Sequence, residues 1–178
     1  MTEQEIIAGC IKKNRQCQRY LFDEYAGKFM TICLRYATSE MEAEDMMQEG
    51  FIAIFKNIEQ FKSDGSFGGW MRRVIVNAAL NVLRKNKFQF SEIDDNNGNY
   101  SPVDAYSYSH LGEDDLLKLI NALPNGYRIV FNLSIIEGYS HDEIAKILDI
   151  QPATSRSQLV KARKILQQQI LQQQKIAV

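Results

Sequence analysis

Residues 140–166 read SHDEIAKILDIQPATSRSQLVKARKIL. Ser140 and Glu143 stand three apart ahead of an apolar run. That is the spacing of a capping box, in which the two side chains satisfy free amides of a first helical turn. The short helix they open puts Ile144, Ala145 and Leu148 on one side. Asp149-Ile150-Gln151 makes a tight turn, and Pro152 follows where a first helical turn tolerates it. Beyond it, Ser155, Leu159, Ala162 and Leu166 recur at spacings of 4, 3 and 4, which is one inward face. Arg156, Ser157, Val160, Lys161, Arg163 and Lys164 occupy the remaining surface. A short helix, a three-residue turn and a basic second helix make a helix-turn-helix. Its second helix would enter the major groove with its N-terminal residues at the base edges. An ordinary helical hairpin with a solvated basic face fits the same residues, so the rest of the chain must weigh in.

The rest of the chain also reads as helix. Thr2 with Glu5 and Ser39 with Glu42 repeat the capping-box spacing. Leu21, Tyr25, Phe29, Ile32 and Tyr36 recur at helical intervals, and no run alternates as a strand would. The spacing predicts helices near 2–14, 17–37, 40–59, 67–87, 113–122, 125–136, 141–148 and 152–172. Between Phe90 and Glu113 the chain is polar and acidic, rich in Asn, Ser and Gly. Such a segment buries little apolar surface and reads as a linker. The expected fold is all-α: a helical domain over 1–90, an acidic linker over 91–112, and a second helical domain over 113–178 that carries the helix-turn-helix.

The formal net charge of the 178 residues is only -1, but the charges are segregated. Residues 40–49 hold five acids and no base; residues 65–91 hold five bases and no acid. Residues 92–115 hold seven acids and no Lys or Arg, and five bases with no acid follow Asp149. Two basic blocks flanking an acidic connector point to nucleic acid. Cys10, Cys17 and Cys33 are an odd set without a zinc-site spacing, and are expected to be reduced, buried thiols. Neither a signal peptide nor a membrane span is expected, so the expected location is cytoplasmic. No phosphate loop or nucleophile motif is present, and no histidine is placed to serve a serine or cysteine. An enzyme is therefore not expected, nor a cofactor, nor a metal.

The first basic block explains itself at the residue level. In FKSDGSFGGWMRRVIVNAALNVLRK, residues 61–85, Trp70, Arg73, Asn77, Asn81 and Arg84 share one helix face. Met71, Ile75, Ala78 and Val82 share another. The polar face combines cations for phosphates with amides for base edges. The loop ahead of it, Lys62, Ser63, Asp64, Gly65, Ser66 and Phe67, could fold around a small planar group, with Phe67 and Trp70 as stacking surfaces. Trp70 fits the role of a core anchor at least as well. The preceding helix, AEDMMQEGFIAIFKN, carries a polar ridge of Asp45, Gln48 and Glu49 that would repel DNA and suit a basic protein partner.

Those segments, with LPNGYRIVFNLSIIEGYSHDEIAKILDI and ATSRSQLVKARKIL, resemble the extracytoplasmic-function (ECF) sigma factors, the compact two-domain branch of the sigma-70 family of bacterial transcription initiation factors. The resemblance covers nearly the whole chain and keeps the family's order. It implies that Asp45, Gln48 and Glu49, with Phe51 and Phe55, dock on the beta-prime subunit of core RNA polymerase, the beta subunit completing the partner. It implies that Lys62–Phe67, Arg73, Asn77, Asn81 and Arg84 recognise and open the −10 promoter element. The −35 element would fall to the second helix of the helix-turn-helix, through Arg156, Ser157, Val160 and Lys161, with Arg163 and Lys164 beside them. An anti-sigma factor is a further expected partner, with no residue marking it. Two positions depart from the family pattern. Ser155 replaces an apolar residue, implying a less firmly seated recognition helix. Gly68-Gly69 implies a looser entry to the helix of Trp70.

Two other functions compete with this one. A stand-alone helix-turn-helix regulator with an N-terminal protein-interaction module would bind its duplex without polymerase. A helical adaptor that binds only protein would show no salt-dependent DNA affinity.

Overall fold

The computed structural model describes residues 1–62, 65–85 and 113–176, and every regular element among them is helical. In chain order these are α1 (Glu3–Ile11), α2 (Arg15–Leu34), α3 (Glu40–Asn57), a 3-10 turn (Ile58–Gln60) and α4 (Phe67–Lys85). There follow α5 (Glu113–Asn121), α6 (Asn125–Phe131), a π turn (Asn132–Ile136), α7 (His141–Leu148) and α8 (Pro152–Ile176). The chain divides into two compact units, Met1–Phe88 and Gln89–Val178. The expected linker, 91–112, lies outside the described residues.

In the first unit the helix starts follow local hydrogen-bond chemistry. The Glu5 amide donates to Thr2 Oγ1 while the Thr2 amide donates to the Glu5 carboxylate; hydrogen bonding from the Thr2 backbone, then from its side chain, holds the Glu5 carboxyl below its usual range. Helix α1 ends at Ile11, short of the expected residue 14. Lys13 turns to φ +58°, and Asn14 Oδ1 accepts from the amides of Gln16 and Cys17, starting α2 two residues early. The expected box at Ser39 is half formed. Ser39 Oγ accepts from the Glu42 amide, but the Glu42 carboxylate reaches past it to the amide and hydroxyl of Thr38.

Three long helices then share one core. Leu21 of α2, Met46 and Ile54 of α3, and Met71, Ile75 and Leu80 of α4 are all fully buried. At Gly50, α3 lies so near α4 that an added Cβ would run into the Ile75 side chain. All three thiols are buried and free. Burial raises Cys33 to about 12; burial, with the neighbouring Cys17, raises Cys10 to about 11.

The second unit packs α5, α6 and α8 around Leu119, Ile120, Leu123, Tyr127, Ala162 and Leu166. Arg128, only 5% exposed, donates to the Asn121 carbonyl and to Asn125 Oδ1, tying the end of α5 to the start of α6. The helix expected over 125–136 loosens at Asn132, where the Glu137 amide bonds back to the Asn132 carbonyl, five residues away. Ser140 and Glu143 form the expected capping box of α7. Asp149 ends that helix in the left-handed region, φ 56° and ψ 48°, a conformation its short polar side chain tolerates.

Gly50→Val should destabilise the first unit by about 1–3 kcal/mol, because the branched side chain must displace Ile75. Trp70, the one tryptophan of the chain, lies in that unit. Urea unfolding followed by its fluorescence should move to lower denaturant, and an unchanged midpoint would overturn that contact.

Candidate nucleic-acid interface

The interface in the first unit is built on α4. Its start is fixed by Ser66, whose Oγ accepts from the Gly69 amide and whose carbonyl accepts from the Trp70 amide. Gly68 and Gly69 thus lie within the first helical turn, and the expected loose entry is an ordered one. Gly69 is small because a Cβ there would come within 2.8 Å of the Ser66 hydroxyl. From this start, Met71, Ile75 and Ala78 fall into the core, and Arg73, Asn77, Asn81 and Arg84 fall on the exposed face. The Arg84 guanidinium donates to Asn81 Oδ1 at 3.2 Å. A guanidinium has no acceptor, so this bond turns the Asn81 amide N–H groups outward.

Two open clefts run beside that face. The first, about 440 Å³, lies among Phe61, Lys62, Gly65 and Ser66 on one side and Trp70 and Arg73 on the other. None of the described residues lining it is acidic. Ser63 and Asp64, expected in the same loop, lie outside the described residues. The second cleft, about 600 Å³, is lined by Glu49 and Asn57 of α3 and by Asn77, Asn81, Arg84 and Lys85 of α4. Gln60 and Trp70 border both.

The aromatic residues divide differently from the sequence expectation. Phe67, expected as a stacking surface, is 1% exposed. It stacks on Trp70 at 5.8 Å, with Phe61 tilted against both at 5.2 and 5.7 Å. Phe67 is therefore the floor on which the half-buried Trp70 rests. Trp70, which suits a core anchor at least as well on sequence, lines both clefts, and Phe61 lines the first.

The ridge on α3 also separates. Asp45 and Gln48 are exposed, and so are Met41 and Ile52 at 74% and 62%. Glu49 sits instead at the α4 edge, with its carboxylate 3.9 Å from Lys85 Nζ. Phe51 is 4% exposed, packed between Phe22 and Phe29 at 4.7 and 5.5 Å, so its expected place as a docking contact is corrected to support from beneath. Phe55 is half-buried beside it. Sequence reasoning missed Met41 and Ile52, whose only signal was their helical phase with Asp45 and Gln48.

On α8 of the second unit, Arg156, Ser157, Val160, Lys161, Arg163 and Lys164 are all exposed, Val160 by 65%. The Lys161 ammonium lies 5.9 Å from the centre of the Tyr127 ring. Ser155 is wholly buried and hydrogen-bonded to His141 of α7 at 2.9 Å. The looser seat implied at this position is not what is found, because a polar partner completes it.

Among the described residues no helix is long and apolar enough to cross a membrane, and no cluster of His, Cys, Asp and Glu could hold a metal ion. Residues 21–89 match the family described as Sigma-70 region 2, and residues 113–166 match Sigma-70, region 4. The ECF RNA polymerase sigma-E factor of Haemophilus influenzae is 26% identical over 96% of this chain and 96% of its own length. That of Escherichia coli strain K12 is 25% identical over 96% and 95%. Among solved structures, the sigma factor RpoE in complex with the anti-sigma factor NepR from Bartonella quintana shares the fold. Its TM-score is 0.52 at 19% identity, covering 85% of this chain and 95% of that one. A stand-alone regulator does not account for a sigma match on the first unit. With one sigma region on each helical unit and relatives aligned nearly end to end, the chain belongs to the ECF branch of the sigma-70 family and is an RNA polymerase sigma factor.

Proposed function

We propose that the first unit both docks on core polymerase and takes the opened −10 strand, and that α8 reads the −35 duplex. The observation that carries the −10 assignment is the first cleft. Lys62 and Arg73 offer cations there, Ser66 a hydroxyl, and Trp70 a ring supported from below. Pulling a base from a duplex costs a few kcal/mol, and stacking on an aromatic ring returns about 1–3 kcal/mol per base. Asn77, Asn81 and Arg84 continue the same surface and suit the adjoining nucleotides. In the second cleft, Glu49 paired with Lys85 keeps one carboxylate beside these groups without leaving its charge bare.

The docking ridge is assigned to Asp45 and Gln48, with the exposed apolar Met41 and Ile52 on the same helix. An acid and an amide flanked by apolar side chains suit a basic, partly apolar helical partner, as expected of the beta-prime subunit. The Bartonella quintana sigma factor was solved with an anti-sigma factor, and we extend such a partner to this chain. Action on the polymerase of a bacterial cell would put the protein in the cytoplasm. The test of the whole reading is run-off transcription with purified core polymerase on fragmented genomic DNA of the source organism. Discrete transcripts that require the protein support it. Duplex binding at a discrete site without polymerase, and no transcripts, would return the stand-alone regulator.

Asp45→Arg should keep the helical circular-dichroism signal, since the side chain is exposed, and lose co-purification with core polymerase. Undiminished co-purification would move the docking surface elsewhere. Arg156→Ala should remove a contact worth about 1–3 kcal/mol, weakening promoters unevenly according to their −35 sequence. Equal weakening on scrambled −35 elements would make Arg156 a phosphate contact alone. Replacing Lys62–Gly65 with neutral Gly and Ser, and sparing the buried Phe67, should keep fold and polymerase binding. It should abolish permanganate reactivity of −10 thymines on duplex promoters but not on templates mismatched there. Normal opening of the duplex would overturn the pocket assignment.

A further inference from the structure

The hydrogen bond between His141 and Ser155 is a part-buried polar contact inside the helix-turn-helix. His141 Nδ1 lies 2.9 Å from Ser155 Oγ, fourteen residues away, and the bond joins the first turn of α7 to the first turn of α8. Ser155 is 0% exposed, and beyond it on the buried side of α8 lie Gln158 and the apolar Leu159, Ala162 and Leu166. Apolar packing sets the depth and the coarse rotation of a helix through many small, non-directional contacts. A hydrogen bond is directional and weakens steeply as it bends. A buried hydroxyl without a partner would also be costly, so the seat favours the bonded geometry.

Arg156 and Ser157 follow Ser155 directly and are exposed. Any rotation of α8 that breaks the bond swings these two side chains through the same angle. We propose that His141 and Ser155 are a positioning pair that fixes the rotation of α8 and thereby aims Arg156 and Ser157 at the base edges. This proposal rests on the −35 reading above for its consequence, not for the pair itself. Ser155 is the cleaner member to test: being buried it cannot touch DNA, whereas the partly exposed His141 could.

The experiment has two arms on the full chain. In the first, hydrogen exchange is measured without DNA. Ser155→Ala should speed exchange of the amides of residues 156–159, the first with acceptors inside α8, by about fivefold, the factor set by one hydrogen bond of ordinary net strength. As single changes, His141→Asn, which keeps a polar atom near the Nδ1 position, should keep exchange slow where His141→Ala speeds it. In the second arm, holoenzyme affinity is compared on promoters with intact and scrambled −35 elements. Ser155→Ala should cut their ratio by about fivefold while leaving scrambled-site affinity unchanged. The double variant His141→Ala/Ser155→Ala should lose no more than Ser155→Ala with His141 present, apart from any loss shared by scrambled sites. Unchanged exchange in the first arm overturns the pair. Faster exchange with an unchanged ratio overturns its aiming role. A wild-type ratio of one would overturn the −35 reading, and the exchange arm would still decide the pair.

Discussion

The packing of α3 against α4 is the constraint on which the first unit depends. Gly50 lets the two helices approach until Ile75 fills the space a side chain would have taken. That contact fixes the phase of both helices at once. With Met46 and Ile54 turned inward, α3 shows Asp45 and Gln48 outward; with Met71 and Ile75 turned inward, α4 shows Arg73, Asn77 and Asn81. One buried seam thus separates the ridge proposed for polymerase from the wall proposed for DNA on adjacent helices. Neither face could rotate to suit its partner without opening the core.

Charge segregation and this geometry meet at Glu49. The acids of 40–49 and the bases of 65–91 would attract each other across the seam if both faced it. Among the described residues, Glu49 and Lys85 meet there as an exposed pair at 3.9 Å, a geometry that contributes little to stability. Helix phase leaves Asp45 of α3 and Arg73 of α4 exposed, where partners can reach them.

Much of this was legible in the sequence because helical phase and capping are local. The inward sets Met71/Ile75/Ala78 and Leu159/Ala162/Leu166 and the boxes at Thr2 and Ser140 follow from spacing alone. What escaped depends on neighbours distant in sequence or on competition between nearby groups. Glu42 chose Thr38 over Ser39 because both donors lie within reach of one carboxylate. Phe51 and Phe67 looked like contact rings because an aromatic in a motif carries no mark of burial until the packing partners, Phe29 and Trp70, are in place. The π turn at Asn132 had no signal in a run of residues that suit an α-helix.

The site shows the same division at the level of single side chains. Residues that would touch DNA are mostly polar and exposed, and spacing could find them; the contacts that hold them in position run within α4 in two cases and from α7 to α8 in the third. Trp70 rests on Phe67, Asn81 is turned by Arg84, and Ser155 is held by His141. Each supporting contact restricts one rotation that a surface side chain or a bare helix would otherwise keep. Freezing these rotations before binding lowers the entropy lost when DNA arrives. On the proposed reading, base contacts fall at two separate elements, so small errors in aim at either would weaken the choice of promoter. Specificity should accordingly reside as much in these supports as in the arginines and asparagines proposed to reach the bases.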